Sequence, residues 1–150
     1  MHRSLQSRTL IPLIEAELQA GKQVTFRVKG TSMRPFLWSN VTNITMIQPN
    51  DLLKRFDIVL YQNDQHQYVL HRIIRIKGTT LIIQGDALMN REIIALGSVI
   101  GVALSYETNH KNRQINQWHR FQAWLWHQLR FARRILLALI KRTWGKKYGE

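Results

Sequence analysis

The chain has 150 residues, with 22 Lys and Arg against 9 Asp and Glu, and no cysteine. That length suits one domain with a real core, and the missing cysteines exclude disulfides, thiolate metal sites and cysteine nucleophiles. The formal charge of +13 is uneven: residues 1–110 carry 12 basic against 8 acidic side chains and residues 111–150 carry 10 against 1, so the tail holds most of it.

Residues 9–20 place Ile11, Leu13, Ile14, Leu18 and Ala20 at helical spacing, with Pro12 near the start and Gly21 as the stop. A short amphipathic helix is predicted there. Glu15 and Glu17 interrupt the apolar residues that a secretory signal needs, and no run approaches the ~18–20 apolar residues of a membrane span, so a cytoplasmic location is expected. From Gln23 the period drops to two: VTFRV sets Val24, Phe26 and Val28 on one face and Thr25 and Arg27 on the other. NITMIQ, FDIVLYQ, QYVLHRIIRIKG, TTLIIQG and GSVIGVALSY read as further strands between turn residues. They predict a mainly β domain over residues 1–108.

Past Asn109 the polar NHKNRQ reads as a boundary, and helical spacing returns. Ile115, Trp118, Phe121 or Gln122, Leu125, Leu129, Ala132, Leu136 and Leu139 or Ile140 can share one face, with Arg and Lys around the rest. Residues 109–150 are predicted to form a basic amphipathic helical tail. Its Trp118, Phe121, Trp124, Trp126 and Phe131, together with the positive charge, are the ingredients of a helix on an anionic membrane surface through residues 113–144. Packing on the domain and capture of an acidic partner are the alternatives; nucleic acid is least favoured, because no nucleic-acid motif accompanies the charge. Deleting residues 113–150 is expected to leave the β domain folded.

Candidate chemistry begins at KGTSMRPFL, Lys29 to Leu37. Gly30 permits a backbone that other residues avoid and Pro35 cannot donate to a sheet ladder, so Ser32 is held on a bent segment. That suits an exposed nucleophile and equally an ordinary turn. A nucleophilic serine needs a base. His71, in YVLHRIIRI on the same face as Val69 and Ile73, has an ordinary pKa near 6.5 that lets it serve at neutral pH. Asp86 follows Gly85 at a strand end, where it bonds its own turn or orients the imidazole as in a serine–histidine–aspartate arrangement. His119 and His127 are too far apart along a helix for one metal; no metal and no cofactor are expected.

GTSMRP, DIVLY, YVLHRIIRI and IIQGD, in that order, resemble the boxes of the signal peptidase I superfamily, which also contains the self-cleaving SOS repressors. Gly30, Ser32, Met33 and Pro35 match its nucleophile box, His71-Arg72 is similar to the His-Arg form of its base box, and Gly85-Asp86 match its Gly-Asp box. The likeness covers residues 10–104. It implies a coiled β peptidase fold, with Ser32 as nucleophile, His71 as base, and Asp86 as third member ahead of Glu92. Relatives often carry a serine where this chain has Gly30, which leaves the oxyanion to the backbone N–H groups near Ser32 and to the Thr31 hydroxyl. Met33, Pro35 and Phe36 are the expected substrate groove, and Asp57 is expected to start a strand.

The implied function is a serine endopeptidase that removes a leader, signal or pro-segment from a peptide or protein precursor. Lacking the N-terminal anchor of signal peptidases, it is expected in the cytoplasm, peripheral at the inner face of the membrane. The alternative is a catalytically inactive peptide-binding or membrane-associated module on the same fold, to which Gly30 and the altered sequence after Asp86 point.

Overall fold

The computed structural model describes residues 3–49, 53–129 and 132–148. Helix α1 (Arg3–Gln19) leads into strands β1 (Val24–Arg27), β2 (Asn43–Ile47), β3 (Ile58–Gln62), β4 (Tyr68–Lys77), β5 (Thr80–Gln84), β6 (Glu92–Ala95), β7 (Val99–Thr108) and β8 (Lys111–Gln114). Helices α2 (Gln117–Gln128) and α3 (Arg133–Tyr148) follow. The strands form one curled antiparallel sheet in the order β1-β2-β7-β3-β4-β5-β6, with β8 also on β7. The mainly β expectation holds.

Strand β7 is the spine. Along one edge it pairs β2; along the other it pairs β3 through Val99–Val102 and then β8 through Ser105–Thr108. Strand β3 is buried on both faces. Ile58 and Leu60 join Ile14, Leu18, Met33 and Leu37 on one side, while Val59 and Tyr61 join Ile73, Leu81 and Ile83 on the other. Helix α1 lays Leu18 over Gly101, where an added Cβ would stand 2.9 Å from Leu18 Cδ1. Glycine at that point of a β-branched run is what lets helix and strand approach.

Three local expectations change. Helix α1 starts at Arg3, so Pro12 lies inside it rather than near its start; its missing N–H leaves one helical bond unmade. The segment NHKNRQ is no boundary but a hairpin: Asn109 and His110 both adopt positive φ (51° and 61°), the conformation of a two-residue turn matched to strand twist, and lead into β8. All four β8 residues are exposed, so no alternation marked them as a strand. Strand β6 was also not expected, because its apolar Ile93, Ile94 and Ala95 are consecutive and show no alternation.

The tail is two helices rather than one. Asn116 caps α2, its side chain accepting from the His119 N–H at 3.0 Å. Helix α2 buries His119 and Ala123, with Ala123 packed beside Phe56 and Ile74, and Arg120 donates to Asp57 at 2.8 Å. It is therefore part of the β domain's own packing. Asp57 does stand just ahead of a strand, where its second oxygen also accepts from the Lys54 N–H at 2.8 Å. Phe131 lies outside the described residues.

Candidate active site

The serine turn hangs on the sheet by a closed neck. The Val28 N–H donates to Thr42 O and the Asn40 N–H to Val28 O, both at 2.8 Å. Between these bonds the chain runs through successive turns, with Gly30 at φ +89° and its N–H on Ser39 Oγ at 3.1 Å. Met33, Leu37 and Trp38 are buried and plug the loop into the core. Burying those three leaves Thr31 exposed and Ser32 half-buried at the rim. The backbone N–H groups of Thr31, Ser32 and Met33 donate no hydrogen bond among the described residues.

A cleft of about 120 Å³ lies beside Ser32, walled by Val28, Gly30, Met33, Tyr68 and Leu70. Of the expected groove residues, Met33 lines it from the core. Phe36 instead packs its ring under the Arg72 guanidinium, 4.9 Å from the centroid, and against the His119 ring at 5.3 Å. Pro35 gives its carbonyl to Trp38 Nε1 at 3.0 Å. Both Phe36 and Pro35 thus hold the turn together, because the apolar side of the loop is turned toward the core.

His71 sits on β4 with Val69 and Ile73 facing the same cluster, the alternation expected from the sequence. It lies diagonally across from Tyr61, since Tyr61 registers with Val69. Tyr61 Oη donates to Glu92 Oε2 at 2.8 Å and contacts His71 Nδ1 at 3.2 Å. A phenol has one proton, and here it is on the carboxylate contact. The His71 contact is therefore Nδ1–H donating to the phenol oxygen, which leaves Nε2 with the free lone pair. Burial lowers the His71 pKa, with Glu92 and Asp86 pulling it back up, so the ring is neutral at pH 7. Burial and then Glu92 push the Tyr61 pKa up, so the bridge keeps its proton. Among the described residues, no hydrogen bond joins Ser32 Oγ to His71.

Asp86, the first choice for the acid, makes no hydrogen bond to His71. It is fully buried on the neighbouring Arg72, whose Nε donates to Oδ1 at 2.8 Å and whose Nη2 donates to Oδ2 at 2.7 Å. His127 Nε2 lies 2.9 Å from Oδ1, and Trp126 Nε1 donates to the Asp86 carbonyl at 2.7 Å. Burial works to raise the Asp86 pKa, but Arg72 and His127 outweigh it and hold the carboxyl below its ordinary value. Asp86 and Arg72 are thus a buried ion pair on the far side of β4 from His71, since side chains alternate along a strand. Glu92 is the carboxylate tied to the imidazole: its Oε1 stands 3.8 Å from Nδ1.

The Gly85-Asp86 segment positions the serine turn. The Ala87 N–H donates to Ser32 O at 2.9 Å. An added Cβ on Gly85 would stand 2.7 Å from that same oxygen, so only glycine admits the approach. Sequence reasoning missed Tyr61, Trp126 and His127. Tyr61 had a signal, being on the strand before His71; the two tail residues had none, because their partner is 40 or 41 positions away. Comparison of the chain with known protein families, with curated proteins and with solved structures finds no match.

Proposed function

We propose that this protein is a serine endopeptidase in which Ser32 attacks a peptide carbonyl and His71 carries the proton. The observation that supports it most is the chain Glu92, Tyr61, His71, which presents a neutral imidazole with Nε2 as acceptor on the strand that walls the Ser32 cleft. Ser32 Oγ forms a bond to the carbonyl carbon while Nε2 takes the hydroxyl proton. The developing oxyanion is met by the unengaged N–H groups of Ser32 and Met33 and by the Thr31 hydroxyl. His71 then passes the proton to the leaving amine as the C–N bond breaks, and water, deprotonated by the same nitrogen, releases the acyl group. Asp86 contributes by holding Arg72 and the loop beneath Ser32.

The cleft has room for a short side chain next to the scissile bond, which fits cleavage of a leader, signal or pro-segment after a small residue. A substrate that closes the gap between Ser32 and His71 is required, because catalytic hydrogen bonds often tighten only in the bound complex. The absent Ser32–His71 bond favours the second reading, a peptide-binding module without catalysis. One experiment separates them: incubation of the full chain, its Ser32→Ala form and its His71→Ala form with a diverse peptide library and with co-expressed precursor peptides, followed by mass spectrometry. Cleavage by the parent, reduced on the order of 10³-fold or more in both variants, is expected. Peptides bound intact, or cleavage that survives Ser32→Ala, would overturn the assignment.

A further inference from the structure

Helix α2 has a face that the domain does not cover. Trp118, Phe121 and Trp124 are 64%, 47% and 38% exposed, and Leu125 beside them is 46% exposed. Their three rings form one stacked row, with centroids 5.5 and 5.6 Å apart and planes inclined by 25° and 28°. The opposite face is committed to the domain through buried His119 and Ala123, the Arg120–Asp57 pair, and the contacts of Trp126 and His127 with Asp86. Anchored in this way, the helix cannot turn its aromatic row inward. Helix α3 continues the theme, with Ile135 and Leu139 exposed alongside Arg134 and Arg142.

We infer that this aromatic face docks the protein on an anionic lipid bilayer, with Trp118, Phe121 and Trp124 in the headgroup layer and the tail's Lys and Arg against the phosphates. Two observations choose lipid over other occupants. The region from residue 111 onward carries 10 basic side chains and one acidic, so a second copy docked through the same face would set like charge against like. Large aromatic rings on one side of an acid-free helix, followed directly by a helix rich in Lys and Arg, are also the composition of interfacial segments. Among the described residues no helix is long and apolar enough to cross a membrane, so this is attachment to a surface. The inference stands apart from the peptidase reading, since binding needs neither Ser32 nor His71.

The test is sedimentation of the full chain with vesicles of phosphatidylcholine alone or mixed with phosphatidylglycerol. A variant with Trp118→Gln, Phe121→Gln and Trp124→Gln is compared with the parent, and its thermal melt confirms folding. The parent should partition at least ~10-fold more strongly onto the anionic vesicles, lose that preference in 1 M salt, and fall by ~10-fold or more in the triple variant. Should the triple variant melt abnormally, Trp118→Gln alone, at the most exposed ring, should still weaken binding several-fold. Equal binding by variant and parent, or no preference for anionic vesicles, would overturn the inference. So would a lipid-free dimer in analytical ultracentrifugation that the variant abolishes, which would assign the face to a second copy.

Discussion

The proton on Tyr61 decides what His71 can do. Because the phenol donates to Glu92, His71 must donate through Nδ1, which leaves Nε2 as the acceptor that the proposed mechanism uses. Two variants test this relay. Tyr61→Phe removes the acceptor that fixes the tautomer, and kcat should fall on the order of 10²-fold with KM little changed. Glu92→Gln removes the largest influence raising the His71 pKa. The acid limb of the activity profile reports loss of the neutral base, so its inflection should lie below about 6.5 in the parent and lower still in Glu92→Gln. An unmoved inflection in that variant would remove Glu92 from the relay. From the sequence, an inflection near neutrality was expected, because the burial that lowers it is a property of the packed sheet. His71 itself was legible as the one histidine in an alternating apolar strand. Its carboxylate partner was legible only as the second choice behind Asp86, since Glu92 lies three strands away from Tyr61 in the sheet, on a segment with no alternation to mark it.

At the scale of elements, the boundary placed after residue 108 falls in the turn of the β7–β8 hairpin. A chain ending at residue 112 would lose half of β8 and all of α2, uncovering Phe56, Ile74, Phe36 and Tyr106, where each aromatic or large aliphatic side chain contributes ~1.5–3 kcal/mol by burial. We expect no cooperative melting transition from that chain, contrary to the expectation that the β domain folds without residues 113–150. A chain ending at residue 132 keeps the Arg120, Trp126 and His127 contacts, and should melt within a few degrees of the full chain. Circular dichroism melts of the two truncations decide the matter: equal melts would return α2 to the status of an appendage. Helical spacing announced α2 but not its anchoring, because the polar anchors Arg120, Trp126 and His127 look like any surface positions until Asp57 and Asp86 arrive opposite them.

For the molecule as a whole, the pH response is set by a histidine inside the core. His119 packs edge to face with Phe36 and Tyr106, and neither ring nitrogen has a hydrogen-bond partner among the described residues. Burial, then the nearby Arg72, Arg113 and Arg120 charges, lower its pKa to about 3, with Asp86 opposing. The unfolded chain binds this proton near pH 6.5 and the folded chain does not until about 3, so folding loses stability as the pH falls through that window. Between pH 7.5 and 5 this group removes about 2 kcal/mol. His119→Leu should abolish that part of the pH dependence and be neutral or stabilising at pH 7.5, measured by urea denaturation at both values. A pH dependence as steep as the parent's would refute the role given to His119.

The sequence by itself determined the fold class, the strands long enough to alternate, the serine on its glycine-led turn and the histidine on its strand, because those features are written in local periodicity and in backbone preference. The tertiary structure alone decided which carboxylate stands beside which side chains, Glu92 by Tyr61 and His71 and Asp86 by Arg72. Asp86 follows its glycine so closely that it invites a catalytic role, yet it answers the adjacent arginine, since Arg72 and His71 project to opposite faces of one strand. It also decided which tail aromatics are anchors and which are exposed. Trp126 bonds a carbonyl while Trp118, Phe121 and Trp124 face outward, a division set by which face α2 turns to the domain, the one with His119 and Ala123.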